Sequence, residues 1–209
     1  MIRLFLSAIF LSSSINACAE AISSQQYRFQ EFHDPGWMTL INEQGQEVSA
    51  SFYYQLIAFE DIDTWQNNEA MTIILDDEQG VQLKRNASGK TYIVIFNEDN
   101  DPIHERLIEC LNAEQLNTYI IAECHSEAGA YYEATADSLH DFLRTKGSET
   151  LSKTLSIEQQ SWELYQETRN AAVREYLADK FGTKQIIINA NDYSIQMKSR
   201  LNSLVRFLE

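Results

Sequence analysis

The stretch MTIILDDEQGVQLKR, residues 71–85, decides how the first half of the chain folds. Residues 71–75 are an apolar run of strand-forming side chains, and residues 81–85 mix apolar and polar ones. Between them Asp76-Asp77-Glu78-Gln79-Gly80 is a polar connection ending in glycine. Glycine tolerates the left-handed backbone that a short loop needs. Two strands joined in this way predict an antiparallel hairpin. The pattern continues outward on both sides. Asn86-Ala87-Ser88-Gly89 reads as a turn and residues 92–96 as a strand. Upstream, Tyr27 and Phe29 alternate with polar neighbours, and Trp37, Thr39 and Ile41 alternate up to a turn at residues 42–45. Residues 51–59 are rich in strand formers. Residues 26–97 therefore predict an antiparallel meander of five or six strands, with one face buried and one wet.

The character of the chain changes near Pro102, which sits where a helix tolerates proline, in the first turn. Residues 113–146 predict one long helix, bent at Gly129, with the stripe Ile121, Cys124, Ala128, Tyr132, Thr135, Leu139, Phe142. After Gly147 a second helix, residues 148–181, carries Leu151, Leu155, Trp162, Tyr165, Arg169, Ala172 and Tyr176. Gly182 is its stop signal. Residues 184–190 read as extended or coil. Asn191 or Asp192 then caps a last helix with Met197, Leu201, Leu204 and Leu208 on one side. Three amphipathic helices with short connections predict an antiparallel bundle. The expected class is α+β: an N-terminal β-meander domain, residues 20–101, followed by a three-helix domain, residues 102–209.

Residues 1–19 predict a secretory signal peptide, with a basic start at Arg3, an apolar stretch and small residues at Ala17 and Ala19. Ordinary cleavage after Ala19 is one reading. The other is a lipobox, residues 15–18, that would acylate Cys18 and anchor an outer-membrane lipoprotein. Either places the chain in the periplasm or outside the cell. Cys18 leaves the count in both cases, so Cys110 and Cys124 predict an intramolecular disulfide in an oxidising compartment. Two buried free thiols are the alternative. With 31 acidic and 16 basic residues the net charge is -15. Such a chain repels nucleic acid and attracts a cationic partner.

The helical half resembles the LprI-like lysozyme inhibitor domain, a family of small helical bacterial envelope domains. The resemblance sits in Ala122-Glu123-Cys124 followed by Ala136-Asp137-Ser138-Leu139, in Leu155 with Gln159, Trp162 and Tyr165, and in Arg200 with Leu204. It covers about the last hundred residues. Two departures stand out. Gln166 and Glu167 occupy positions where the family commonly has Arg and an acid, and the later cysteines are absent, which leaves room for one bridge, Cys110 to Cys124. The resemblance implies a non-enzymatic inhibitor that binds a basic lysozyme non-covalently. Leu155, Gln159, Trp162, Tyr165, Arg200 and Leu204 would form its structural core, Gln159 tying the neighbouring helix through its amide.

The remaining residues favour no catalytic centre. Four scattered histidines lack the spacing of a zinc site. Asp99-Asn100-Asp101 resembles a calcium loop but meets Pro102 and Ile108 where glycine and a bidentate glutamate belong, so it reads as an acidic turn. No metal or cofactor is expected. Glu123, Glu127, Glu133 and Asp137, with Glu158, Glu163 and Glu167, are the candidates for docking a cationic envelope protein. Arg169, on the apolar stripe, is expected to pair with an acid such as Asp137. The competing reading is an envelope binding module in which the β-half recognises a ligand through Trp37, Tyr53, Tyr54 or Trp65, with Asp61 and Asp63 nearby, and the helices serve as scaffold.

Overall fold

The computed structural model describes residues 25–33, 37–51, 63–96, 100–177 and 182–207. The first half holds β1 (Gln25–His33), β2 (Trp37–Asn42), β3 (Glu47–Ser51), β4 (Ala70–Asp76), β5 (Gly80–Arg85), β6 (Thr91–Ile93) and β7 (Ile95–Phe96). They pair antiparallel in the order β6-β5-β4-β1-β2-β3-β7. The hairpin read from residues 71–85 is present, with Ile73 opposite Leu83 and Asp76 opposite Gly80. The run at residues 52–60 lies outside the described residues.

Seven strands replace the expected five or six because residues 91–96 divide at Val94. Ile93 sits opposite Gln82 of β5, while Ile95 sits opposite Ser51 of β3. The two ends of the sheet therefore flank one short segment. Neighbouring strands lie about 5 Å apart, so the sheet must roll into a barrel that β6 and β7 close. Its interior is filled by Met38, Leu40, Ala50, Met71, Leu83 and Val94, all fully buried. Closure also removes the edges on which a meander would aggregate. One extra residue, between Phe29 and Glu31, bulges β1 against β2.

Trp65 is part of this interior rather than an exposed recognition aromatic. It is 8% exposed, edge-on to Phe29 at 5.3 Å and tilted against Phe32 and Tyr92 at 5.2 and 5.4 Å. Arg85 lies over its ring at 5.9 Å, donating to Glu69 at 2.5 Å and to the Thr64 hydroxyl and carbonyl at 2.6 and 2.8 Å. A ring so enclosed offers no face to a sugar, so the Asp63–Trp65 cleft does not form. Trp37 is exposed as expected, whereas Tyr53, Tyr54 and Asp61 lie outside the described residues.

Among its described residues the second half has four helices: α1 (Pro102–Leu111), α2 (Thr118–Lys146), α3 (Glu149–Leu177) and α4 (Lys184–Val205). The short α1 adds one to the expected three. Asp101 caps it, its Oδ1 accepting from the Ile103 and His104 amides. Asn117 caps α2 in the same way, and the Ser148 hydroxyl caps α3 through the Leu151 amide. α2 runs through Gly129 as one helix. That glycine permits contact, because a Cβ there would lie 2.4 Å from the Tyr193 ring of α4. The stripe of α2 is buried at Cys124, Ala128, Tyr132, Thr135 and Leu139.

Two helix readings need correction. Residues 184–190 are helical, although Ile186-Ile187-Ile188 carries a strand-like composition. The segment continues into a helix buried from Ala190 onward, while Ile186 and Ile188 stay exposed, and the weak strand preference of the isoleucines does not prevail. Consequently Asn191 and Asp192 lie inside α4 and cap nothing. On α3 the stripe fails beyond Trp162: Tyr165 is 52% and Tyr176 61% exposed, and Ala172 is exposed. Among its described residues α3 buries only Leu155 and Leu177 fully.

α2 joins the halves. Four successive residues of β5, Gly80 to Leu83, are buried, one side in the barrel and the other under α2. Thr135 donates its hydroxyl to the Tyr131 carbonyl and accepts the Val81 amide at 2.9 Å. One continuous apolar cluster runs from Leu40 and Ile73 to Leu139, Leu155 and Leu204.

Candidate functional site

Of the residues that carried the resemblance, those of α3 and α4 bring Gln159, Trp162 and Arg200 into contact. Leu155 and Leu204 are fully buried, and Arg200 is 2% exposed. The Arg200 guanidinium lies over the Trp162 ring at 4.9 Å and donates to the Gln159 Oε1. Its Nη1 stands 3.8 Å from Glu158. Gln159 also donates from Nε2 to Glu163 at 2.8 Å. The ring face, the Gln159 amide and the nearby Glu158 charge offset part of the cost of burying the guanidinium, while its Nη1 has no hydrogen-bond partner among the described residues. Trp162 is half-buried against the core. Tyr165 does not belong to the cluster as a core residue: it turns outward, with its ring 5.9 Å from that of Trp162.

The seven acids proposed for docking divide by what they already touch. Glu127 accepts from Tyr131 at 3.1 Å and faces Arg106 at 3.6 Å. Glu133 accepts from Tyr193 at 2.6 Å, while Glu158 and Glu163 serve the Arg200 cluster. Asp137 is exposed, but burial of its carboxyl raises its pKa; Arg200 opposes that shift and Glu133 adds to it. Among the described residues, Glu123 and Glu167 make no side-chain hydrogen bond or ion pair and are exposed. Arg169 pairs with Asp192, not Asp137, with Nη2 to Oδ1 at 2.6 Å. Because α4 begins earlier than expected, Asp192 lies one helix layer away, facing α3.

A different set of acids is free. An open groove of about 640 Å³ runs between the barrel and α1. Glu43 and Glu47 reach it from the β2–β3 hairpin, Glu105 and Glu109 from α1, and Gln25, Tyr27 and Asn100 complete its wall. Glu43, Glu47 and Glu109 make no hydrogen bond or ion pair among the described residues, and all three are exposed. Glu105 accepts from Gln25 Nε2 at 3.3 Å. Burial, reinforced by the Glu105 charge, pushes the Tyr27 phenol up to about 12, and it donates to Gln25 at 2.6 Å. These acids escaped the sequence reading because two separate units, the β2–β3 hairpin and α1, supply them. Chemically the groove is an anionic, hydrogen-bonding trough suited to Lys or Arg side chains.

Cys110, in the last turn of α1, is disulfide-bonded to Cys124 of α2, with the Cα atoms 5.8 Å apart. The bridge fixes the helix that carries half of the groove's acids. Among the described residues, no group of three or more His, Cys, Asp or Glu side chains is arranged to hold a metal, and no helix is long and apolar enough to cross a membrane. Comparison with family models, with curated proteins and with solved structures yields no match to this chain.

Proposed function

We propose that this chain is a secreted or periplasmic bacterial envelope protein that inhibits lysozyme without catalysis, by non-covalent docking of the basic enzyme. The observation that carries the reading is the convergence of Leu155, Gln159, Trp162, Arg200 and Leu204 into one packed cluster. Those residues lie up to about fifty positions apart in sequence, and the resemblance to the LprI-like domain had named them as one core. The net charge of -15 supplies long-range attraction for a basic enzyme and raises its association rate. The groove supplies short-range partners, Glu43, Glu47 and Glu109, at little desolvation cost because they are exposed. The second reading, a binding module led by the β-half, draws on the same groove, since the barrel contributes most of its wall.

The test is lysozyme turnover in the presence of the purified protein at low and moderate salt. Inhibition should weaken with added salt and weaken further in a Glu43→Gln/Glu47→Gln/Glu109→Gln variant. Full lysozyme activity at micromolar protein in both salts refutes the inhibitor reading. Inhibition that is indifferent to the triple variant moves the docking face to Glu123 and Glu167.

A further inference from the structure

The outer face of α3 is apolar where nothing covers it. Ile157 and Leu164 are each 65% exposed, and Tyr165 beside them is 52% exposed. Ile157, Leu164 and Ala171 recur at seven-residue spacing, so they fall on one side of the helix every two turns. Ser161 and Thr168, small and exposed, lie between them. This is an uncovered helix seam, and its flanks carry information about what covers it. Lys153 stands at one end of the face and Glu175 at the other, both exposed.

We propose that a second copy of this chain covers the seam, with the two α3 helices antiparallel about a two-fold axis at Leu164. In that register Leu164 meets Leu164, Ile157 meets Ala171, and Lys153 meets Glu175 at both ends. Glu167 then faces Ser161, and Glu163 faces the phenol of Tyr165. No pair of like charges is opposed between Lys153 and Glu175. A parallel arrangement would set Lys153 on Lys153 and Glu175 on Glu175, so the order of charges selects the antiparallel one. The pair Lys153–Glu149, 2.8 Å long, does not withhold the lysine, since both side chains are more than 70% exposed. The seam is about 33 Å of helix and roughly 10 Å wide, about 330 Å² on each copy, which is below a standard-size interface and makes the contact a weak one that needs high protein concentration. The net charge of -15 on each copy opposes association, so moderate salt favours it.

The experiment is sedimentation equilibrium of the purified protein up to about 200 µM in moderate salt. The wild type should sediment as a monomer–dimer equilibrium. Leu164→Glu should be monomeric with an unchanged thermal unfolding curve, because Leu164 contributes nothing to the monomer core. Lys153→Glu should weaken the dimer about tenfold, and Lys153→Glu/Glu175→Lys should restore it. A wild type that stays monomeric at the highest concentration overturns the proposal, as does a Leu164→Glu variant that dimerises normally. A charge swap that restores nothing overturns the antiparallel pairing.

Discussion

Replacing Gly80 with alanine isolates the contact that holds the barrel to the helices. Gly80 has a backbone φ of +77°, and a Cβ there would lie 2.4 Å from both the Cα and the amide nitrogen of Thr135. Backbone atoms in the middle of a 29-residue helix cannot step aside as a side-chain tip can. Two costs follow. The left-handed backbone costs alanine about 1–2 kcal/mol, and overpacking adds about 1–3 kcal/mol. The shift needed to relieve it also loosens the Val81 amide from Thr135 Oγ1, a bond contributing about 1 kcal/mol. The expected loss is about 3–6 kcal/mol. Gly89 is the internal control: its φ is +70° and a Cβ would meet nothing within 4 Å. Gly89→Ala should cost only the backbone contribution, about 1–2 kcal/mol. Urea unfolding of both variants, followed by far-ultraviolet dichroism, gives the difference directly. Equal losses would refute the claim that β5 rests on the backbone of α2.

Two further outcomes follow from the helical half. Trp162→Ala should destabilise the protein by about 2–4 kcal/mol, combining a half-buried indole with its cation–π contact to Arg200; a loss below about 1 kcal/mol in chemical denaturation would mean that Gln159 and Glu158 alone hold the guanidinium. Asp137 has a folded-state pKa above the ordinary 3.8, with burial the largest cause. Its contribution to stability is complete below the unfolded-state pKa and is lost as pH rises through the raised folded value. Asp137→Asn should therefore melt higher than the wild type at neutral pH, with the advantage gone in acid below the ordinary aspartate range. A variant less stable at neutral pH would show that attraction to Arg200 outweighs burial.

The hairpin at residues 71–85 was legible from its strand-forming runs and the glycine-ended turn between them, and the helical stripe of α2 from its periodicity; that β5 is buried on both sides was not. Nor was barrel closure, since it depends on Ile93 and Ile95 finding different partners on either side of Val94. α4 was misplaced at its start because three consecutive isoleucines look like a strand, while the burial that anchors the helix begins only at Ala190 and leaves Ile186 and Ile188 exposed. The same error hid the partner of Arg169, since Asp192 had been taken for a cap. Within the signature, Gln159, Trp162 and Arg200 were identified, and the amide link to the neighbouring helix was foreseen. Tyr165 was assigned to the core because it continues the spacing of α3, and helical spacing does not say which members of a stripe a neighbouring element covers. The groove acids left no local signal at all. Asp101 did leave one: an acid directly before a proline that opens a helix is a capping pattern.

Asp101 does more than begin α1. Besides capping that helix, its Oδ2 accepts the Tyr132 hydroxyl of α2 at 2.5 Å and lies 3.1 Å from Lys198 Nζ of α4. The carboxylate is 8% exposed at the residue level, on the seam between barrel and helices. A chain divided between residues 101 and 102 would give one fragment a carboxylate with nothing to answer it and the other a proline-led helix without a cap, a tyrosine and a lysine robbed of their shared acceptor. The two halves differ in architecture, yet the residue at which their composition changes ties three of the helices together. A split protein made at that point would have to reassemble there before either piece could hold its shape.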